Sequence, residues 1–232
     1  MLWVGQFGIV DGQALQETPW VGVYADDASA ALGKGLSAHG VSDRGPDSSD
    51  LFLIVEPATP GSEEFCAELK EAVGSVFHKS KVSLTGGMLR ALKAAHENLR
   101  DWNRRSIKDH WVAAGISCLA VRGQDAYLAQ VSPASAVFYK DGEMSPIRPQ
   151  LPDAVEPLGL YDEFWPEFSH FELETGDSLL LLTPGLAESL DQEDLAGSLA
   201  LPSEEVLPAL YRQAHALPDC GALLVAAVAN GL

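Results

Sequence analysis

The sequence predicts an α+β fold, a four-layer α-β-β-α sandwich of two mostly antiparallel sheets flanked by helices. Three observations carry this. Residues 115–143 read as a meander of three short strands, with turn chemistry at Arg122-Gly123-Gln124-Asp125 and a hairpin signal at Asp141-Gly142. Three apolar runs, Leu51 to Val55, Ser178 to Thr183 and Ala222 to Val228, have no polar face and need cover on both sides. Between the runs lie segments of helical period. The hairpins exclude a purely parallel βαβ chain, and stacked antiparallel sheets with helices outside satisfy both demands.

In chain order, residues 2–10 and 20–24 read as strands around a polar connection at Asp11-Gly12. Residues 26–50 are rich in Asp, Ser, Gly and Ala, and the piece GVSDRGPDSSD reads as a loop. Leu51 to Val55 is a buried strand. A helix follows the Pro60-Gly61 break, with Ser62 as N-cap, Glu63 and Glu64 at its positive end, and Phe65, Leu69, Val73 and Val76 at helical spacing. A second begins near Ser83, with Leu84, Met88, Leu92, Ala95, Leu99 and Trp102 in one apolar stripe. The basic cluster Arg100 to Arg105 reads as water-facing charge at its C-terminus. After the meander, Ser145 to Ile147 closes that sheet and Leu151 to Trp165 is a Pro-rich loop. Phe168 to Leu173 and Ser178 to Thr183 are strands. Asp191 to Leu199 and Ser203 to His215 are helices, the second capped by Ser203, and Ala222 to Val228 is the last strand. With no repeat and no linker, one domain is expected over residues 1–232.

The chain carries 33 acidic and 15 basic residues, a formal charge of -18 that repels phosphate backbones and anionic lipid. Neither nucleic acid nor a membrane is expected as a partner. No run reaches the roughly 18 apolar residues of a membrane span, and Met1-Leu2-Trp3 lacks the basic start of a leader. Cys66, Cys118 and Cys220 are far apart, each in an apolar run, and read as buried thiols in a reducing, cytoplasmic setting. The six histidines are scattered without metal spacing.

Five strings in order resemble the metal-dependent protein phosphatases (the PPM, or type 2C, family) over roughly residues 36–230. Leu51 to Pro57, LFLIVEP, resembles that family's apolar strand ending in Asp-Gly. Gly115-Ile116-Ser117 resembles its Gly-Thr-Thr. Ala129 to Ala136, AQVSPASA, sits where the family has Ala-x-Val-Gly-Asp-Ser-Arg-Ala, and Lys140-Asp141-Gly142-Glu143 follows. Gly176 to Leu186 resembles Gly-Asp-x-Leu-Leu-Leu-x-Ser-Asp-Gly-Leu. Pro218 to Leu223 resembles the Asp-Asn-x-Thr before the final strand.

The resemblance implies two divalent metals, Mn²⁺ or Mg²⁺, held by aspartates and activating a water against a phosphate ester. Here the ligand positions are altered. Glu56 replaces the strand-end Asp, Pro57 the following Gly, and Pro184 a metal Asp, whereas Asp219 matches directly. Val131-Ser132-Pro133-Ala134-Ser135 has lost the charges of its string. Arg44 stands as a possible phosphate contact, and Asp47 or Asp50 as a further acid beside Glu56 and Asp219. The expectation is a phosphatase-like module without its two-metal site, with no cofactor and a protein or phosphoprotein partner. The alternative is an active serine/threonine phosphatase with a reduced metal site.

Overall fold

The computed structural model describes residues 1–15, 18–24, 49–150 and 156–229, and the backbone of 38–42. Among these residues the strands form two sheets. The first contains β1 (Leu2–Val10), β2 (Gln13–Leu15), β4 (Ala38–Ser42), β8 (Ser135–Lys140), β9 (Glu143–Ile147), β11 (Ser178–Leu182) and β12 (Cys220–Ala227), in the order β2-β1-β12-β11-β8-β9, with β4 also paired to β1. The second contains β3 (Val21–Tyr24), β5 (Asp50–Pro57), β6 (Ala114–Arg122), β7 (Asp125–Val131) and β10 (Glu167–Glu172), in the order β10-β7-β6-β5-β3. Every pairing between them is antiparallel.

The helices cover the two outer faces. Helices α1 (Glu63–Lys79) and α2 (Leu84–Arg105) lie on the second sheet, while α3 (Pro184–Ser189), α4 (Gln192–Leu199) and α5 (Ser203–Ala214) lie on the first. The period of two along a strand explains why the apolar runs are unbroken. Leu179 and Leu181 of β11, with Leu223 and Val225 of β12, enter the core between the sheets. Their neighbours Leu180, Leu182, Leu224 and Ala226 enter a second core under α5, beside Leu207 and Leu210. A run buried on both faces is what a middle layer of a four-layer sandwich requires, and the predicted fold is the one observed.

Several local expectations are corrected. The strands read as one meander divide between the sheets, β6 pairing with β7 in the second and β8 with β9 and β11 in the first. The region read as loop contains β4, whose backbone pairs with β1 from Leu2↔Ser42 to Gln6↔Ala38. Short β2 and α3 carried too little periodic sequence to be seen. Ser62 precedes α1, yet its hydroxyl makes no cap bond. It accepts instead from the Ala113 N–H at 3.0 Å, tying the β5–α1 connection to the residues before β6. Helix α5 begins at Ser203, and Pro202 occupies the cap position. Trp102, placed in the buried stripe of α2, is 50% exposed and packs edge-on against Phe65. Ser83 does cap α2, accepting from Gly86 N–H, and Asp141-Gly142 forms the hairpin turn with φ of 53° and 83°.

Candidate functional site at the strand ends

One end of the sandwich gathers the strings that resemble the phosphatases. Antiparallel pairing places Glu56, near the end of β5, opposite Gly115 at the start of β6, and Ile9, near the end of β1, opposite Cys220 at the start of β12. Gly115 is dictated by contact, because a Cβ there would collide with the nitrogen and carbonyl oxygen of Pro133. The Ser132-Pro133 peptide is cis. Thr183, after β11, receives the Gly221 N–H on its hydroxyl at 3.1 Å and gives its own N–H to the Gly221 carbonyl at 3.0 Å. These bonds bring Pro184, the first residue of α3, to the same end as Asp219 and Glu56.

Glu56 is half-buried, and its Oε1 has no hydrogen-bond partner among the described residues. Burial pushes its carboxyl up to about 8, because low dielectric penalises the charged form. Its charge reaches Cys66 on α1 and Cys220 on β12, both of whose thiols burial chiefly pushes up, to about 12 and about 11. Cys118, fully enclosed, is also pushed up to about 12. All three are free thiols, as expected of packing residues, and none has the lowered pKa of a nucleophile. Asp219 is exposed, and its Oδ1 accepts the Asp11 N–H at 3.0 Å. Trp20 is buried against Gly221, and its Nε1 also lacks a partner among the described residues.

The other sequence candidates lie elsewhere. Asp50 opens β5, six residues before Glu56, so about 20 Å of strand separates the two carboxyls. Asp50 is buried opposite Val121, at the far end of the sheet. Arg44 and Asp47 fall outside the described residues. Among the described residues no group of three His, Cys, Asp or Glu side chains is placed to hold a metal. Glu56 and Asp219 alone do not make the donor set that two hard divalent cations need. The described residues therefore do not fit a two-metal centre. Sequence reasoning missed the Thr183 hydroxyl. Thr183 lies within the Gly176 to Leu186 string, and only the bond to Gly221 shows what its hydroxyl does.

No family model matches the sequence, and no curated protein matches it. Solved structures do match in fold. Serine/threonine phosphatase Stp1 from Staphylococcus aureus superposes with a TM-score of 0.74 at 14% identity, over 99% of this chain and 96% of that one. PppA, described as a key regulatory component of T6SS in Pseudomonas aeruginosa, superposes with a TM-score of 0.65 at 16% identity, over 89% and 96%. The catalytic domain of serine/threonine protein phosphatase PstP, solved in complex with 2 manganese ions, superposes with a TM-score of 0.66 at 13% identity, over 99% and 100%. The chain has the fold of the PPM serine/threonine phosphatases.

Proposed function

We propose that this protein is a binding or regulatory module of phosphorylation signalling that keeps the phosphatase fold and does not run its two-metal reaction. The observation that supports this is the make-up of the strand-end cluster. The positions that resemble metal aspartates hold Glu56, Pro184 and Asp219. Proline offers no side-chain donor, and Pro184 serves instead as the first residue of a helix, a position that suits its fixed φ. The partner is a protein or phosphoprotein, a reading supported by the likeness to PppA, itself a regulatory component. The acidic surface argues against nucleic acid and anionic membrane, and three free thiols suit a reducing cytoplasm.

One observation favours a second reading, an active metal-dependent phosphoprotein phosphatase with a reduced site. The Glu56 Oε1, without a partner among the described residues, suits a cation as well as a proton. Calorimetric titration with Mn²⁺ and turnover of an aryl phosphate separate the two. Absence of both heat and turnover sustains the regulatory reading. Manganese-dependent turnover that vanishes in Glu56→Ala and in Asp219→Ala overturns it.

A further inference from the structure

The segment between β9 and β10 returns across α2 as a strap, described from residue 156 to 166. It is pinned at four places. Leu158, fully buried, exchanges backbone hydrogen bonds with Ala114 at 2.8 and 3.2 Å. The Gly159 carbonyl accepts from Asn103 Nδ2 at 3.0 Å, and the Gly159 N–H donates to His96 Nδ1 at 3.2 Å. Arg100 reaches the Asp162 carbonyl at 3.0 Å and its carboxylate. Phe164 stacks on the His96 ring, with centroids 4.8 Å apart and an interplanar angle of 26°. The approach is close because Gly159 has φ of 97° and no side chain; a Cβ would lie 2.6 Å from that of Leu99.

We propose that His96 is an acid-released latch: protonation of its Nδ1 undocks the 156–166 strap from α2. The chemistry follows from the tautomer. Because Nδ1 accepts the Gly159 N–H, the neutral ring carries its proton on Nε2. A second proton can go only to Nδ1, where it meets the Gly159 N–H head on and removes the acceptor. The ring is 3% exposed, and Nε2 has no partner among the described residues, so protonation removes the Gly159 bond inside a buried site. The groups that face it are Arg100 and Glu97 on its own helix and the backbone carbonyls of Tyr161 and Asp162 on the strap. Burial and then the Arg100 charge lower its pKa, while the Asp162 carbonyl, Glu97 and the Tyr161 carbonyl oppose them.

A lowered folded pKa stabilises the docked state fully above the ordinary histidine value of about 6.5, and that stability is lost as pH falls through the folded value. Each unit of lowering changes the docking equilibrium about tenfold. The consequence reaches the strand-end cluster, because Leu158 is bonded to Ala114 and the next residue, Gly115, pairs with Glu56. The latch does not depend on whether that cluster binds metal or a partner.

The test is a pH titration of the isotope-labelled full chain by NMR, following the His96 ring proton, the Gly159 amide and the amides of β12. The Gly159 amide is expected to move with the His96 ring at one midpoint below pH 6.5, while β12 amides, in the other sheet, hold their positions. His96→Asn keeps an acceptor near the Nδ1 position and cannot titrate, so its Gly159 amide should stay in the docked position throughout. Ring protonation with an unmoved Gly159 amide overturns the latch. So does a Gly159 transition that persists in His96→Asn, or one that coincides with movement of β12.

Discussion

The Asp11 backbone N–H donates to Asp219 Oδ1 at 3.0 Å, joining residues 208 positions apart in sequence. Next to it, the Gly12 N–H donates to the Pro218 carbonyl at 2.7 Å. Together they fasten the turn after β1 to the turn before β12, where the candidate cluster sits. Asp219 thus has a structural task whether or not it meets a cation.

Asp219→Ala should therefore cost about 1 kcal/mol of folding stability, the usual net value of such a bond. Asp219→Asn, which keeps an acceptor, should stay close to the parent. Urea unfolding of the three proteins checks this, and equal midpoints for Ala and parent would show that the bond is without weight.

Gly115→Ala should be far more damaging, because the obstacle is backbone. The added methyl would meet Pro133 on the neighbouring turn, and no side-chain rotation relieves the clash. Overpacking of this kind costs about 1–3 kcal/mol or more. The expected readout is a lowered thermal midpoint, together with a displaced Glu56 region, since Gly115 is its strand partner.

The layers were legible in sequence because they rest on short-range signals. Leu51 to Val55, Leu179 to Leu182 and Ala222 to Val225 are apolar at every position, and both faces are indeed buried. The two long helices announced themselves by stripes that end inside the core, Leu84 through Leu99. Trp102 broke that pattern because Asn103, 5% exposed, takes the buried position of that last turn; the Trp102 ring packs on Phe65 instead. The candidate site was legible only where a string carried it, at Glu56 and Asp219. Asp50 belonged to the same strand as Glu56, and strand length alone separates them. Beta-strand β4 was hidden because its pairing to β1 is set by a partner far away in sequence, and a segment rich in Ser, Asp and Gly gives no local sign of it.

Asn103 is the second anchor of the strap, and its side chain is fully used. Its Oδ1 accepts the Val112 N–H at 2.8 Å, and its Nδ2 serves the carbonyls of Val112 and Gly159 at 2.8 and 3.0 Å. Asn103→Ala leaves three buried backbone groups without partners, at roughly 1–3 kcal/mol for each left unsatisfied. Water entering the space left by the side chain offsets part of this, so a net loss of about 3 kcal/mol is expected in chemical denaturation. Asn103→Asp should also destabilise, because a carboxylate accepts but cannot donate to the two carbonyls.

Glu56 gives the most specific expectation for pH. Its carboxyl titrates near 8 in the folded chain and near 4.5 when unfolded. Below 4.5 both states hold the proton, and the group leaves stability unchanged. Between 4.5 and 8 the folded chain holds a proton that the unfolded chain has released, so stability falls as pH rises. Above 8 both are ionised and the loss levels off. This is the reverse of a salt-bridged carboxylate, whose contribution fails on the acid side. Glu56→Gln keeps the shape without the charge and should remove this component of the slope. The variant should gain on the parent steadily from pH 5 to 8, in urea midpoints measured across that range. Mn²⁺ supplies a second check on the same residue. A cation bound at Glu56 would draw the carboxyl into its ionised form and flatten the parent's slope, leaving the Gln variant unchanged. A slope unaltered by manganese is the result expected under the regulatory reading.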